Sequence, residues 1–391
     1  MNQKELSEIR RRWKSDRAAV GNVYGCYVNS NKEIISSFDS SLGLLSHDET
    51  EMYLSILKKT LSGTLGKNLI DIEFETKQVT DGAEHALLMK LKKELLRDED
   101  ARNTLYRRIL NALSFEDECS YLILLAADAY DVPHGTHAEH DDFDSAEVFK
   151  YFLCCICPVK SASLELGYVP DSGDFHSCST GQTVAPPELG FMFPTFDGRA
   201  ANIYNALYYT RRPQELHAEL IDALFKIRPP MSAPEQKNAF GSVISGALDR
   251  DCSFDIVQSV NEQIRNRIIE HKESKEKERL ELTVNDVERI LIDCGVNGEK
   301  AESFREECEK SFGERAALDP NNIIDAKKMQ ILTPEIKISL SPENAYLIET
   351  RIIDGRKFLL IPADSGVEIN GISVNVTEAS PSVTANPLSH G

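Results

Sequence analysis

No apolar run in this 391-residue chain approaches the roughly 18 residues that a membrane-crossing helix needs. The opening stretch, MNQKELSEIRRRWK, lacks the apolar segment of a secretory signal. Cysteine is sparse and odd in number: nine residues over this length do not make the dense, even framework of a small secreted domain. Together these absences predict a cytoplasmic protein with reduced thiols and no membrane partner. Positive charge is also short, with 44 Lys and Arg against 63 Asp and Glu and a net charge of -19. That balance excludes a surface coated with phosphate-binding groups and leaves only local basic patches. No G-x-S-x-G, H-E-x-x-H or G-x-G-x-x-G is present, nor an H-x-E paired with P-C-x-x-C. No cofactor is therefore expected, and an enzymatic role is left open.

With 41% hydrophobic and 27% charged residues the chain is globular, and it is long enough for two or three domains. Lys4 to Lys14 reads as a helix with Leu6, Ile9 and Trp13 on one face and Arg10, Arg11 and Arg12 around the other. Tyr24 to Val28 and Glu33 to Phe38 read as strands. Ser46 with Glu49 forms a capping box ahead of a helix carrying Tyr53, Leu57 and Leu61. Leu69 to Phe74 alternates as a strand, and helices follow from Asp81 to Leu96 and from Asp98 to Leu113. Tyr121 to Ala127 and Val148 to Ile156 are apolar enough for central strands.

The densest cluster of aromatic and polar residues is PPELGFMFPTFDGRAANIYNALYYTRR, from Pro186 to Arg212. Two apolar runs flank Asp197-Gly198, a strong reversal signal, so a hairpin-like pair is predicted; a helix from Arg199 competes. The order of elements predicts an α+β fold: a mixed or antiparallel sheet with helices to one side, spanning residues 1–212. Residues 213–282 read as a helical connector that ends in the charged run HKESKEKERLE. Residues 283–376 read as a small C-terminal α+β module, with capped helices after Thr283 and turns at Asp354-Gly355 and Asn370-Gly371. The remaining 377–391, rich in Ser, Pro and Asn, reads as a disordered tail.

Candidate chemistry is scattered. GTLGKN, from Gly63 to Asn68, has the look of a phosphate loop but lacks the P-loop spacing and follows a helix instead of a strand. His134, His137 and His140 stand among four carboxylates, a donor set suited to zinc, with a solvated acidic loop as the competing reading. Cys154 and Cys157 match C-x-x-C, yet their odd separation within a strand puts the sulfurs on opposite faces. Glu188, Asp197, Arg199 and Asn202 are the polar groups of the central stretch: Asp197 is a candidate acid or base and Arg199 a candidate anion clamp. A turn Asp paired with a structural Arg competes with that reading. Tyr204, Tyr208 and Tyr209, with Arg10, Arg11 and Arg12, are the candidate binding residues.

The strings KELSEIRRRWK, GCYVNSNKEIISSFDSSLGLL, LKKTLSGTLGKNLIDIEF, SYLILLAADAYDVP, CCICPVK and APPELGFMFPTFDGRAANIYNALYYTR resemble a family of bacterial proteins designated domain of unknown function 4317. The resemblance spans most of the chain and implies no activity. The His-rich loop lies outside these strings. The C-terminal run IKISLSPENAYLIETRIIDGRKFLLIPAD is similar in layout to the end of the nucleoid-associated protein family, a likeness of architecture alone.

The expected function is that of a cytoplasmic, non-catalytic binding or adaptor protein with a protein partner, engaged by the aromatic stretch or the charged connector. Nucleic-acid association through the residues from Arg10 to Lys14 is the first alternative, and a hydrolase-like site around Asp197, Glu188 or the His loop is the second.

Overall fold

Strands whose successive side chains are all apolar need cover on both sides, and the runs Tyr121–Ala127 and Tyr151–Cys157 are of that kind. The computed structural model describes all residues except 18, 114–118, 134–147, 162–164, 170–172, 179–180, 275, 277, 314–315, 365 and 376–391. In chain order it begins with α1 (Gln3–Arg12), β1 (Asn22–Val28), β2 (Ile34–Ser41), α2 (His47–Lys59) and β3 (Leu69–Glu73). Next come α3 (Thr76–Asp81), α4 (Ala83–Lys93), α5 (Glu99–Ala112), β4 (Tyr121–Asp131) and β5 (Val148–Ser161). Four short strands follow, β6 (Glu165–Val169), β7 (Asp174–Cys178), β8 (Gln182–Val184) and β9 (Leu189–Phe193). β10 (Thr195–Asp197), β11 (Ala200–Asn202) and β12 (Asn205–Thr210) complete the sheet region, and α6 (Ala218–Phe225) closes it.

The main sheet has the order β2-β1-β4-β5-β9-β12-β3, with β8 added to the far part of β5. Every ladder in it is antiparallel. Helices cover both faces and not one, which corrects the one-sided arrangement expected from the order of elements. Ile70, Ile123, Leu125, Cys154, Phe191 and Tyr208 face α4, α5 and α6. Leu69, Leu124, Phe149, Tyr151, Cys155 and Leu207 face α1 and α2. The cause is the strand composition: period-2 alternation inside all-apolar runs delivers large side chains to each face, so each needs its own helical layer. α1 is started by a capping box of Asn2 with Glu5, and α2 by one of Ser46 with Glu49.

Asp197-Gly198 does reverse the chain, but within its own small hairpin, β10–β11. Gly198 and Arg199 both take positive φ, as the two central residues of a turn matching strand twist require. β9 and β12 then pair with each other on either side of this hairpin.

A second core lies beyond Lys226. α7 (Ala233–Leu248), α8 (Phe254–Ser274), β13 (Leu282–Thr283), α9 (Val284–Asp293), α10 (Gly298–Phe312), β14 (Ala317–Leu318) and α11 (Pro320–Ile323) build it. Phe240, Val260 and Ile264 share this core with Val287, Leu291 and Phe304. The helices read as a connector and those read as a module thus bury one another, and α8 ends at Ser274, ahead of most of the charged run. Three hairpins follow: β15–β16 (Met329–Leu332, Lys337–Leu340), β17–β18 (Glu349–Ile353, Arg356–Leu360) and β19–β20 (Val367–Ile369, Ile372–Val374). Asp354-Gly355 and Asn370-Gly371 turn the last two, all four residues at positive φ.

The two cores meet at the Gly63–Asn68 loop. Gly66 has φ +76 and its carbonyl accepts from Asn322 Nδ2 at 2.8 Å. Arg279 reaches Asp319 at 2.7 Å and Asp71 at 3.7 Å across the same junction. A Cβ on Gly66 would overlap the Arg279 guanidinium, so this glycine is where the second core closes against the first. Gly66→Ala is expected to cost about 2 kcal/mol or more, from positive-φ strain together with the displaced ion pair. Gly43→Ala, in open space, is expected to be neutral. Urea denaturation of the two variants checks this; equal midpoints would overturn it.

Candidate functional site

α1 ends in Arg10, Arg11 and Arg12, cations placed at the negative end of the helix dipole. Only Arg12 turns inward. Its Nε donates to Asp128 Oδ2 at 2.7 Å and its Nη2 to Oδ1 at 3.0 Å, a bidentate pair in which the carboxylate is 1% exposed. Asp128 also accepts from the Ala19 N–H at 3.0 Å and from the Tyr151 hydroxyl at 2.9 Å. Tyr151 lies directly across from Asp128 in the β4–β5 register, and its oxygen accepts from Trp13 Nε1 at 3.1 Å. Burial, then the adjacent carboxylate, push the Tyr151 hydroxyl well above the usual phenol range. Burial opposes the Arg12 charge, but the Asp128 hydrogen bond and attraction more than offset it and hold its pKa above the ordinary value.

One turn earlier on α1, Glu8 faces the end of β4. It accepts from the Tyr130 hydroxyl and from Arg199 Nη1 at 3.2 Å, while Arg199 Nη2 also donates to the Pro133 carbonyl at 3.1 Å. The Arg12 guanidinium sits 4.2 Å above the Tyr130 ring. The hydrogen bond to Glu8 raises the Arg199 pKa, and burial followed by Glu8 raises that of Tyr130. Over this network lies a groove of about 390 Å³ lined by Glu8, Arg11, Arg12, Arg17 and Tyr130. It adjoins a second of about 450 Å³ lined by Gln3, Lys4, Ser7, Glu8 and Arg11. Lys4, Arg10 and Arg11 make no ion pair among the described residues.

This arrangement offers cationic donors more than acid-base chemistry. Asp128 already holds four donors, and Glu8 three, so neither carboxylate is poised to take a proton from a substrate.

The central stretch divides. Arg199 joins the network through Glu8. Asp197 is half-exposed, 3.6 Å from the Met1 amine, and accepts from Asn202 Nδ2 at 3.4 Å. Glu188 is at the opposite end of β9, paired with Arg212 at 2.8 Å and Arg211 at 3.4 Å, so the four polar residues do not form one constellation. Tyr204 is 43% exposed. Tyr208 and Tyr209 are buried in opposite faces of the sheet, the Tyr208 hydroxyl donating to the Leu216 carbonyl at 2.9 Å. Cys154 faces one layer and Cys157 the other; Cys155 shares the Cys157 side, their sulfurs 3.8 Å apart. His134, His137 and His140 lie outside the described residues. Among the described residues no group of three or more His, Cys, Asp or Glu is set to hold a metal.

Sequence reading missed Asp128, Tyr151 and Glu8. One signal was there: Asp128 interrupts the apolar run LILLAADAYD, and a lone carboxylate in a two-sided strand demands a buried cation. Asp128→Ala is expected to cost about 3–5 kcal/mol, because it strands the Arg12 charge. Replacing both partners, Arg12→Met with Asp128→Leu, is expected to recover more than half of that. Trp13, the sole tryptophan, reports the change by fluorescence during urea unfolding. Equal losses in the single and double variants would overturn the account.

The sequence model of a family described as "Domain of unknown function (DUF4317)" matches residues 1–372. No curated protein matches the chain. Among the described residues no helix is long and apolar enough to cross a membrane.

Proposed function

The chain belongs to the DUF4317 family, whose description carries no activity, and from that premise we propose that it is a non-catalytic protein-binding or adaptor protein, working in the cytoplasm, with its partner surface on the C-terminal hairpins. One observation carries this reading. Leu332, Ile336, Tyr346, Ile352, Ile369 and Ile372 are each more than half exposed, whereas Ala345 and Ile348 are the sole buried residues from Met329 to Val374 among those described. Among the described residues each hairpin pairs only with itself. An isolated two-stranded hairpin is marginal in water, and this many large apolar side chains exposed within one stretch of chain suit protein association. A partner that covers both faces of β17–β18 would supply burial that the described residues do not.

The test is affinity capture from the native host with the full chain as bait, nuclease-treated and untreated, beside an Ile352→Ser, Phe358→Ser double variant. Both positions are exposed, so the variant is expected to melt within about 0.5 kcal/mol of the parent. It is expected to lose at least tenfold of a defined captured protein. Capture unchanged by the double variant, or no specific protein at all, would overturn the reading.

Nucleic-acid association is the second reading, favoured by the paired grooves with Lys4, Arg11 and Arg17 on a chain of net charge -19. Phosphate neutralisation by a few such cations makes affinity fall steeply with salt. Fluorescence anisotropy with a labelled DNA duplex and a single strand is expected to show that fall, and to show binding reduced about tenfold in Arg11→Glu. Affinity indifferent to salt, or to Arg11, would remove this reading.

A further inference from the structure

The main sheet has two edges, and they are guarded unequally. β3 is five residues long, carries Asp71 and Glu73, and has Arg279 of the second core reaching Asp71 at 3.7 Å. Short length, charge and cover are the usual means by which an edge strand is kept from pairing with another chain. β2, at the other edge, has none of them. Its eight residues, IISSFDSS, include one charged side chain, Asp39, and no Pro or Lys. Among the described residues nothing pairs with its outer side. Ser36, on the α1 and α2 face, and Ser37 and Asp39, on the opposite face, are exposed, so neither helical layer overhangs this edge. The bulge in the pairing of β2 with β1 falls between Tyr27 and Val28, at the start of β2, and residues 36–41 keep a regular register.

One bond fixes which backbone groups are free. The Leu42 N–H donates inward to the Gly21 carbonyl at 2.9 Å. Backbone groups alternate sides along an antiparallel strand, so Phe38 and Ser40 also face β1, while the N–H and C=O of Ser37, Asp39 and Ser41 point outward. A second copy of the chain meets these groups best. The net charge is -19, and an edge holding a single carboxylate is where two copies approach with least repulsion. Charge also selects the register about a two-fold axis. An axis at Asp39 sets the two Asp39 carboxylates against each other, and one at Ser37 sets Asp39 against Ile35 beside the bulge. An axis at Phe38 avoids both. Ser37 and Asp39 of one copy then exchange backbone hydrogen bonds with Asp39 and Ser37 of the other, and a Ser37 hydroxyl faces each carboxylate. The two Phe38 rings meet as a non-hydrogen-bonded pair, the kind whose side chains lie closer. Each ring is already backed within its own chain: it lies over Gly25, where a Cβ would strike it, and 6.5 Å from the Tyr53 ring.

We propose that β2 pairs antiparallel with β2 of a second copy of this chain, about a two-fold axis at Phe38, joining the two main sheets into one. Such a contact uses the same surface on both copies and closes on itself, so assembly stops at two chains, with the guarded β3 as both outer edges. The surface is separate from the C-terminal hairpins, which the dimer presents in pairs.

Sedimentation equilibrium of the full chain at micromolar concentrations tests this, and a species of two chains is expected. Ser37→Asp sets a like charge against Asp39 of the other copy, twice by symmetry, and is expected to weaken dimerisation by about tenfold. Ser37→Lys sets an opposite charge there and is expected to strengthen it by about threefold. Ser37 is exposed in the single chain, so both variants are expected to keep the parent's unfolding midpoint, followed by Trp13 fluorescence. A chain that stays monomeric, a dimer indifferent to Ser37, or the same response to both charges would each overturn the proposal. The Ile352→Ser, Phe358→Ser variant is expected to dimerise as the parent does; self-association lost in that variant would assign the contact to the hairpins and overturn the role of β2. Partner capture through the hairpins is read separately, so either proposal can fail while the other stands.

Discussion

One buried carboxylate, Asp128, fixes how the first helix lies on the sheet. A charge in that position is tolerable only if its lone pairs are filled, and they are filled from three separate segments: the end of α1, the turn that follows it, and the neighbouring strand β5. Trp13 is drawn into the same arrangement because its indole N–H needs an acceptor and Tyr151 provides it. Such a pair is poor evidence of net stability, since apolar replacements of similar volume often do as well. What it supplies is position. With Arg12 pinned inward, the helical repeat turns Arg11 outward and sets Glu8 against Tyr130 and Arg199, so the surface groove is a consequence of a constraint in the core.

Much of this fold was legible because its signals are local. Capping boxes at Ser46 and Thr283 specify helix starts within four residues, and Asp354-Gly355 and Asn370-Gly371 specify turns within two. The near-continuous apolar character of Tyr121–Ala127 and Val148–Ile156 specifies strands. It does not specify what covers them. The two-sided helical cover depends on how far α1 and α2 travel to reach one face while α4, α5 and α6 take the other, and nothing in a short window encodes that. The same limit hides the second core. Phe240, Val260 and Ile264 have the spacing of a buried helix face, which is equally consistent with a connector lying on the first domain and with helices packed on Val287 and Phe304.

The candidate site was less legible, for a related reason. The central stretch drew attention through its aromatic density, yet density of that kind is first a property of cores: Phe191, Phe193 and Tyr208 fill one face of the sheet and Phe196 and Tyr209 the other. Arg199 was found in the right region, but its partner Glu8 comes from 191 residues away. Glu188 looked like a companion of Asp197 because the two are close in sequence, and a single intervening strand carries them to opposite ends of the sheet.

The two halves of the molecule therefore differ in what they leave unmet. In the first core both sheet faces are covered, Asp128 and Glu8 are fully engaged, and what remains free is positive charge at the surface and the outer edge of β2. In the second half the free groups are apolar strands that, among the described residues, pair only within their own hairpins. Unmet charge in water costs little, whereas exposed apolar strands are costly until something covers them. The larger unrealised gain lies in the C-terminal half, and association driven by that gain needs no catalytic constellation in the first.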